Sequence, residues 1–319
     1  MNIRCIPLLL ALCLLLAACG SAPARPSAEV TPSAAPSCTF TDSLERTVAV
    51  ENPRRFAALL GSYAQIIQLA GGYVCAAPDD AWEDLALDMP ADAKNLGSTE
   101  NLSLELLMAS APDLVIASVN RRQNIEWLDT LEQMGVPVAY FDISDFADYL
   151  ALLEICTDLT GRADLFDTHG TAVQGQIDAV LARAEARLAG SEAPTVLSMT
   201  ASASTIRAQN SKGTVLGAML KSLGCENIAD SDTSLLDNLS LEHILVSDPD
   251  YIFIVQRGDD EAGMRDCVRR LLEEHPAWSQ LTAVKSGRVY FMEKALFNLK
   301  PNQRWGEAYE ILEGILEHG

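Results

Sequence analysis

Cationic side chains follow several β-like runs of this acidic chain, where they could bind an anion. Arg121 and Arg122 follow the run DLVIAS, and Arg207 follows TVLSM after a polar stretch. Guanidinium groups bind carboxylate and chelate oxygens in a bidentate manner, so this pattern predicts a site for an anionic small molecule. The predicted ligand-binding residues are Ser62, Tyr63, Trp82, Asn120, Arg121, Arg122, Arg207, Asn210, Lys212 and Arg304.

Several of these side chains have an alternative structural role. Tyr63 and Trp82 could stack on an aromatic or macrocyclic ligand, or simply pack half-buried. An isolated surface cation is usually solvated or half of a weak ion pair, and the sequence favours this role for Arg257 and Lys300. A tryptophan near the C-terminus, Trp305, is predicted to anchor the last helix.

The sequence lacks the motifs of common enzyme sites. LGSYAQ has no second glycine at the spacing of a nucleophile elbow, and neither a P-loop nor a dinucleotide fingerprint occurs. The histidines His169, His243, His275 and His318 are not grouped with carboxylates at metal-ligand spacing. The sequence therefore predicts a binding protein without catalytic residues, a metal site or a cofactor.

The candidate residues require sheets whose strands end at a common edge. Short β-like runs alternate with helical stretches along the chain, which is typical of an α/β protein with parallel sheets covered by helices. Ligands of such sheets bind beyond the carboxyl ends of the strands. The six runs are RFAALL from Arg55, DLVIAS from Asp113, PVAYF from Pro137, TVLSM from Thr195, YIFIVQ from Tyr251 and RVYFM from Arg288.

One long helix is predicted over residues 163–188, where it joins the two halves of the chain. Its apolar face recurs at helical spacing. The residues of this face are Leu165, His169, Val173, Ile177, Val180, Leu181, Ala184 and Leu188.

The pentapeptide NLSLE occurs at residues 101–105 and again at 238–242. In each copy a serine is a suitable helix N-cap, which places Glu105 or Glu242 in the first turn. A Pro-Asp pair then ends each helix and begins a strand. The repeat therefore predicts one unit present in both halves. The two carboxylates either complement their helix dipoles or present one acidic contact per half to a partner.

The N-terminal residues are predicted to direct the chain to a membrane surface. A charged start and an apolar run are typical of a signal peptide over residues 1–18. Leu-Ala-Ala-Cys is the pattern after which lipoprotein signal peptidases cut, so Cys19 is predicted to be diacylated. An ordinary cleaved signal or an uncleaved anchor is the alternative. Residues 19–37, rich in Ala, Pro and Ser, are predicted to be a flexible tether.

Length and charge narrow the class of protein further. The chain is long enough for two lobes, and its formal net charge of −21 argues against nucleic acid and favours a basic partner. None of the cysteines forms a CxxC pair, so buried inert thiols are favoured and one disulfide stays open. Those beyond the signal and Cys19 are Cys38, Cys75, Cys156, Cys225 and Cys267.

Four motifs in order resemble the bacterial extracytoplasmic substrate-binding lipoproteins that serve ABC importers of ferric siderophores, cobalamin and haem. These are FTDSLERTVAVENPRRFAALLGS, LGSTENLSLELLMASAPDLVIAS, VLGAMLKSLGCENIADS with LSLEHILVSDPDYIFIV, and PAWSQLTAVKSGRVYFMEKALFNLKPNQRWGEAYEIL. The resemblance covers nearly all of residues 38–319. It implies two Rossmann-like lobes, 38–160 and 191–319, joined by one long rigid α-helix within 161–190, with the ligand cleft between the lobes.

The same resemblance implies a function. The protein would bind a ferric siderophore, with the iron held by the chelate, and deliver it to a permease dimer with its ATPase. Glu105 and Glu242 would dock on that permease, and the receptor would be a monomer anchored through Cys19. Cobalamin or haem is the alternative cargo; a non-transport surface lipoprotein or a hydrolase is the alternative class.

Overall fold

The computed structural model describes residues 37–231, 234–237 and 239–319. The predicted signal peptide, Cys19 and all but the last residue of the predicted tether lie outside these described residues. No helix in the described part of the chain combines the length and hydrophobicity needed to cross a membrane. The five described cysteines are free thiols, and all but Cys38 are buried.

The described part of the N-terminal half contains seven strands and the helices between them. Its elements are β1 (Ser37–Thr41), β2 (Thr47–Glu51), β3 (Phe56–Ala58), α1 (Gly61–Leu69), β4 (Val74–Ala77), α2 (Asp80–Glu83), β5 (Lys94–Asn95), α3 (Leu104–Ala109), β6 (Leu114–Ser118), α4 (Arg122–Glu126), α5 (Leu128–Gln133), β7 (Val138–Phe141), α6 (Phe146–Thr160), α7 (Ala163–Phe166), a π-helical turn (Asp167–Thr171) and α8 (Ala172–Leu188).

The C-terminal half repeats this alternation. Its elements are β8 (Thr195–Ala201), β9 (Ile206–Gln209), α9 (Val215–Ser222), β10 (Glu226–Asn227), α10 (Ile228–Ser231), α11 (Ser234–Asp237), α12 (Leu241–Ser247), β11 (Tyr251–Gln256), α13 (Glu261–Val268), a π-helical turn (Arg269–Glu273), a 3-10 turn (Trp278–Gln280), α14 (Thr282–Lys285), β12 (Val289–Met292), α15 (Lys294–Phe297), a 3-10 turn (Asn302–Arg304) and α16 (Trp305–His318).

Each half is built on its own sheet, which confirms the predicted α/β fold with two Rossmann-like lobes. The N-terminal sheet has the order β5-β4-β3-β6-β7 and is parallel throughout. The C-terminal sheet has the parallel order β10-β8-β11-β12. Strands such as β6 and β7 are buried along their whole length, as expected for parallel strands covered on both faces.

Three of the described strands depart from the predicted parallel pattern, since β1 and β2 form a separate antiparallel pair and β9 is added to the C-terminal sheet. Strand β9 lies in the polar stretch after TVLSM, outside the six predicted runs, and it pairs antiparallel with β8. A tight turn makes this possible, since the Ser202 amide donates to the Thr205 carbonyl at 2.8 Å. The run IRAQ is too short for its periodicity to reveal a strand.

The predicted long helix runs from Ala163 to Leu188, with a π-helical turn between α7 and α8. Val173, Ile177, Val180 and Ala184 are buried on the expected face. Gly170 lies in the π-helical turn, and a Cβ at this position would lie only 3.0 Å from the side chain of Leu150. The helix therefore packs closely on α6 where it leaves the N-terminal lobe.

The final helix α16 packs along α8 at short range. A Cβ on Gly306 would lie 2.2 Å from the side-chain oxygen of Gln176 and 2.9 Å from its Cβ, so a larger residue would force Gln176 or the helix to shift. Arg187 on α8 forms an ion pair with Glu313 on α16, with Nε–Oε1 and Nη2–Oε2 distances of 2.9 and 3.0 Å. Trp305 is completely buried at the start of α16, as predicted.

The two NLSLE copies begin equivalent helices, as the repeat predicted. The Ser103 hydroxyl accepts from the Leu106 amide, and the Ser240 hydroxyl accepts from the His243 amide. Glu105 on α3 and Glu242 on α12 both lie in the first turn and are exposed. In the described part of the chain, neither carboxylate forms an ion pair.

Candidate functional site

A cleft of about 850 Å³ lies between the two lobes. Its N-terminal wall comes from loops that follow β3, β4, β5 and β6, and its C-terminal wall from segments that follow β8, β11 and β12. These are carboxyl ends of parallel strands, where α/β proteins bind ligands. The cleft therefore lies where the strand-end argument predicted a site.

Four of the predicted ligand-binding residues line this cleft: Ser62, Tyr63, Asn120 and Arg121. The Tyr63 phenol is buried and donates to the Phe141 carbonyl at 3.0 Å, so its hydroxyl is already committed. Asn120 donates to Asp142 at 2.6 Å, and Arg121 pairs with Glu100 at 2.6 Å.

Six predicted residues are not among the residues that line the cleft: Trp82, Arg122, Arg207, Asn210, Lys212 and Arg304. Trp82 packs against the core cluster. Arg122 is 92% exposed at its side chain and pairs with Glu126. Arg304 pairs with Glu307 and Glu293. The Asn210 side chain accepts from the Lys212 amide, which closes a turn.

Arg207 instead lines a second cavity of about 780 Å³ in the C-terminal lobe. This cavity is lined largely by leucines, and it also includes Glu242 and His275. A predicted ligand-binding residue and a predicted docking residue thus share one surface outside the main cleft.

Six carboxylates that the sequence did not predict also line the cleft. They are Asp79, Asp80, Glu83, Asp84, Glu100 and Asp259. Four of them lie in the segment DDAWED that follows β4. The density of acids just after a strand is the sequence signal for these residues, and it is separate from the pattern of cations that predicted an anion site.

Lys294 joins the two lobes across the cleft. Its ammonium donates to both oxygens of Asp84 in the N-terminal lobe, at 2.8 and 2.9 Å, and to Asp259 in the C-terminal lobe at 2.6 Å. Burial alone would lower the pKa of Lys294, but the hydrogen bonds to Asp259 and Asp84 outweigh it and raise the pKa. The charge of Lys294 is therefore already neutralised by carboxylates of the protein.

Arg257 and Lys300, for which the sequence favours a surface role, also line the cleft. Arg257 is exposed, whereas Lys300 is only partly exposed. Burial lowers the pKa of Lys300, Asp142 and Asp148 oppose this, and Arg121 adds to it. Neither cation has a carboxylate partner within the described residues.

Asp80, the first residue of α2, places its side chain against the first residue of α1, where both of its oxygens accept from the Gly61 amide at 3.0 and 3.1 Å. Only glycine fits at position 61, since a Cβ would lie 2.7 Å from the Ala81 amide nitrogen. Burial raises the pKa of Asp80 to about 6, the Gly61 amide opposes the rise, and Asp84 and Asp79 add to it. Ionised Asp80 is therefore destabilising in the folded protein.

The substitution Asp80→Asn is expected to stabilise the protein at neutral pH. A carboxyl whose folded pKa is raised makes its full contribution to stability below the unfolded pKa near 3.8, and this contribution is lost as the pH rises to about 6. Asparagine keeps an acceptor for Gly61 without the charge. Urea unfolding should show a gain of at most about 3 kcal/mol at pH 7.5 and little gain at pH 4. Asp88→Asn, which removes an exposed charge eight residues further along the chain, is the control.

The described residues contain no group of three or more His, Cys, Asp or Glu side chains that could hold a metal ion. Besides charges, the cleft offers hydroxyl groups and the buried Met199. Such a site can hold a small molecule of mixed polarity and compensate its charge.

Comparison with known proteins gives consistent matches. Residues 57–296 match the family described as periplasmic binding protein. The chain is 23% identical over 271 residues to YhfQ of Bacillus subtilis, named as an ABC transporter substrate-binding lipoprotein, with 82% of each protein covered. It is 26% identical over 221 residues to the vitamin B12-binding protein of Pectobacterium atrosepticum, covering 68% of this chain and 77% of that protein.

Solved structures share the fold. The crystal structure of Staphylococcus aureus SirA complexed with staphyloferrin B superposes with a TM-score of 0.69 and 19% identity, covering 88% of this chain and 98% of SirA. At this level of identity the likeness shows a common two-lobed architecture.

Proposed function

This chain belongs to the periplasmic binding protein family, and we propose that it is the receptor that delivers a ferric siderophore to an ABC importer. The observation that carries the proposal is the cleft between the lobes, lined from both sheets at the carboxyl ends of their strands. An open cleft of about 850 Å³ is in the range of small-molecule sites. The protein acts as a binding protein and not as an enzyme.

The cargo is proposed to carry its own iron, held by the chelate and not by protein ligands or a cofactor. SirA, whose structure contains staphyloferrin B, supports an iron chelate as cargo. Cobalamin is the second candidate, because the vitamin B12-binding protein is 26% identical over 68% of the chain. Haem is the third candidate cargo.

The receptor works outside the cytoplasm with a permease dimer and its ATPase. We assign docking on the permease to Glu105 and Glu242, and lipid anchoring to Cys19. The protein is proposed to be a monomer with lobes at residues 38–160 and 191–319 and a bridging segment at 161–190. YhfQ, named as a lipoprotein, supports the anchored location.

Tryptophan quenching of the full-length protein in detergent tests the proposed cargo. Trp82 lies on α2, whose residues Asp80 and Glu83 line the cleft, so a bound iron chelate or haem should quench its fluorescence. Ferric catecholates, ferric hydroxamates, cobalamin and haem would be titrated, with the metal-free chelators as controls. Saturable quenching by a ferric chelate alone is expected. Saturable quenching by cobalamin or haem alone would identify that compound as the cargo in place of a siderophore. If none of the four compounds quenched the fluorescence, the transport role would be contradicted.

A further inference from the structure

The cations that line the cleft differ in whether the protein already neutralises them. Arg121 is paired with Glu100, and Lys294 is held by Asp84 and Asp259. Lys300 has neither a hydrogen bond nor an ion pair from its ammonium to any described residue, although it lies partly buried in the cleft. An ammonium group in this position is costly unless something else supplies the missing counter-charge.

The loop that carries Lys300, residues 293–304, is fixed on both sides of it. Asn298 donates to the Gln256 carbonyl at 3.0 Å in the C-terminal lobe. Asn302 donates to the Ser62 carbonyl at 2.9 Å and to the Gln65 side chain at 2.7 Å, both on α1 of the N-terminal lobe. Asn302 is fully buried and has a φ of 53°, a conformation that asparagine tolerates better than most residues. The backbone of Lys300 is therefore held in place before any ligand arrives.

The two carboxylates that act electrostatically on Lys300 are hydrogen-bonded to other residues. Asp142 accepts from Asn120, and Asp148 accepts from Ser144 and from the Asp145 amide at the start of α6. Both act on Lys300 only through space, while Arg121 repels it. A cation left without a partner in a preorganised cleft is typical of a ligand-binding group rather than a structural one.

We propose that Lys300 is the counter-charge for an anionic group of the cargo, such as a carboxylate of a negatively charged ferric chelate. The inference rests on the proposed function and specifies the charge class of the ligand. Arg257, also on the C-terminal wall and without an ion pair in the described chain, lines the same cleft. The opposite wall carries Asp79, Asp80 and Glu83, which would repel an anion. The anionic group of the cargo therefore faces the C-terminal lobe.

The test measures affinity for three ferric chelates of different charge with full-length protein in detergent. The probes are anionic ferric citrate, a neutral cyclic ferric trihydroxamate and a ferric trihydroxamate that bears a free ammonium group. Wild-type protein is expected to prefer the anion. Lys300→Met should weaken its binding by roughly 10- to 100-fold, the range for a hydrogen bond to a charged group. Lys300→Arg should retain most of the affinity, and the remote surface variant Lys221→Met should match wild type.

The melting temperature of the ligand-free variants separates binding from a structural role. Lys300→Met should melt at or above the wild-type temperature, because it removes a charge without a partner. A lower melting temperature together with equal losses for all three chelates would overturn the inference. So would a wild-type preference for the neutral or cationic chelate, although the proposed receptor function would then stand. Failure of these chelates, haem and cobalamin to bind wild-type protein would overturn the proposed function itself.

Discussion

Replacing Glu105 and Glu242 together with alanine is expected to abolish uptake of the cargo while its affinity for the receptor stays unchanged. Both carboxylates are exposed in the first turn of equivalent helices, and neither lines the main cleft. Because the N-cap serines Ser103 and Ser240 remain, the helices should keep their positions. Truncating one partner of a charge pair in an interface costs about 2–5 kcal/mol, so losing both should reduce docking by several orders of magnitude.

The control is the double variant Glu185→Ala and Glu192→Ala, which removes two exposed acids away from both repeats. Uptake into cells and binding to purified receptor would be measured for both double variants. If the glutamates only complement helix dipoles, the first variant would lose roughly 0.3–1 kcal/mol of stability per site and would transport normally. Normal transport would therefore rule out the docking role.

The elements that the sequence revealed have a local signal. The runs that form β6, β7, β11 and β12 are continuous and apolar, and the caps at Ser103 and Ser240 depend only on residues three positions apart. The long helix has an apolar face that repeats at helical spacing from Leu165 to Leu188. The two-residue strands β5 and β10 are too short to have any period, and their pairing is decided by the sheet.

The ion pairs of the candidate site also differ in whether the sequence can predict them. Arg122 and Arg304 have carboxylate partners four and three positions away. Ion pairs at this spacing, with Glu126 and Glu307, can be predicted from the sequence, and they explain why neither arginine lines the cleft. Lys294 meets Asp84 from a position 210 residues distant, which only the folded chain brings about. Lys300, in contrast, has no partner among the described residues, and this can be seen only when every neighbouring element is in place.

Replacing Glu313 with alanine is expected to lower the free energy of unfolding by about 3–5 kcal/mol, because it leaves a cation without its partner between two packed helices. Glu313 is 2% exposed, and it accepts two hydrogen bonds from Arg187. The Glu313 hydrogen bond raises the pKa of Arg187. Without it the guanidinium would still be charged, because arginine keeps its proton throughout the ordinary pH range. Chemical denaturation of wild type and variant at neutral pH would measure the difference.

The same two helices supply a matched control, because Arg183 on α8 pairs with Glu310 on α16 at a site where both side chains are about half exposed. Glu310→Ala should cost less than about 1 kcal/mol, as exposed ion pairs do. The double variant Arg187→Met and Glu313→Leu should recover most of the lost stability, since the cost lies in the isolated charge and not in the lost pair. Equal effects for Glu313→Ala and Glu310→Ala would contradict this account. In that case the bridging helix would be held in place by the apolar face of α8, which includes Val173, Ile177 and Val180.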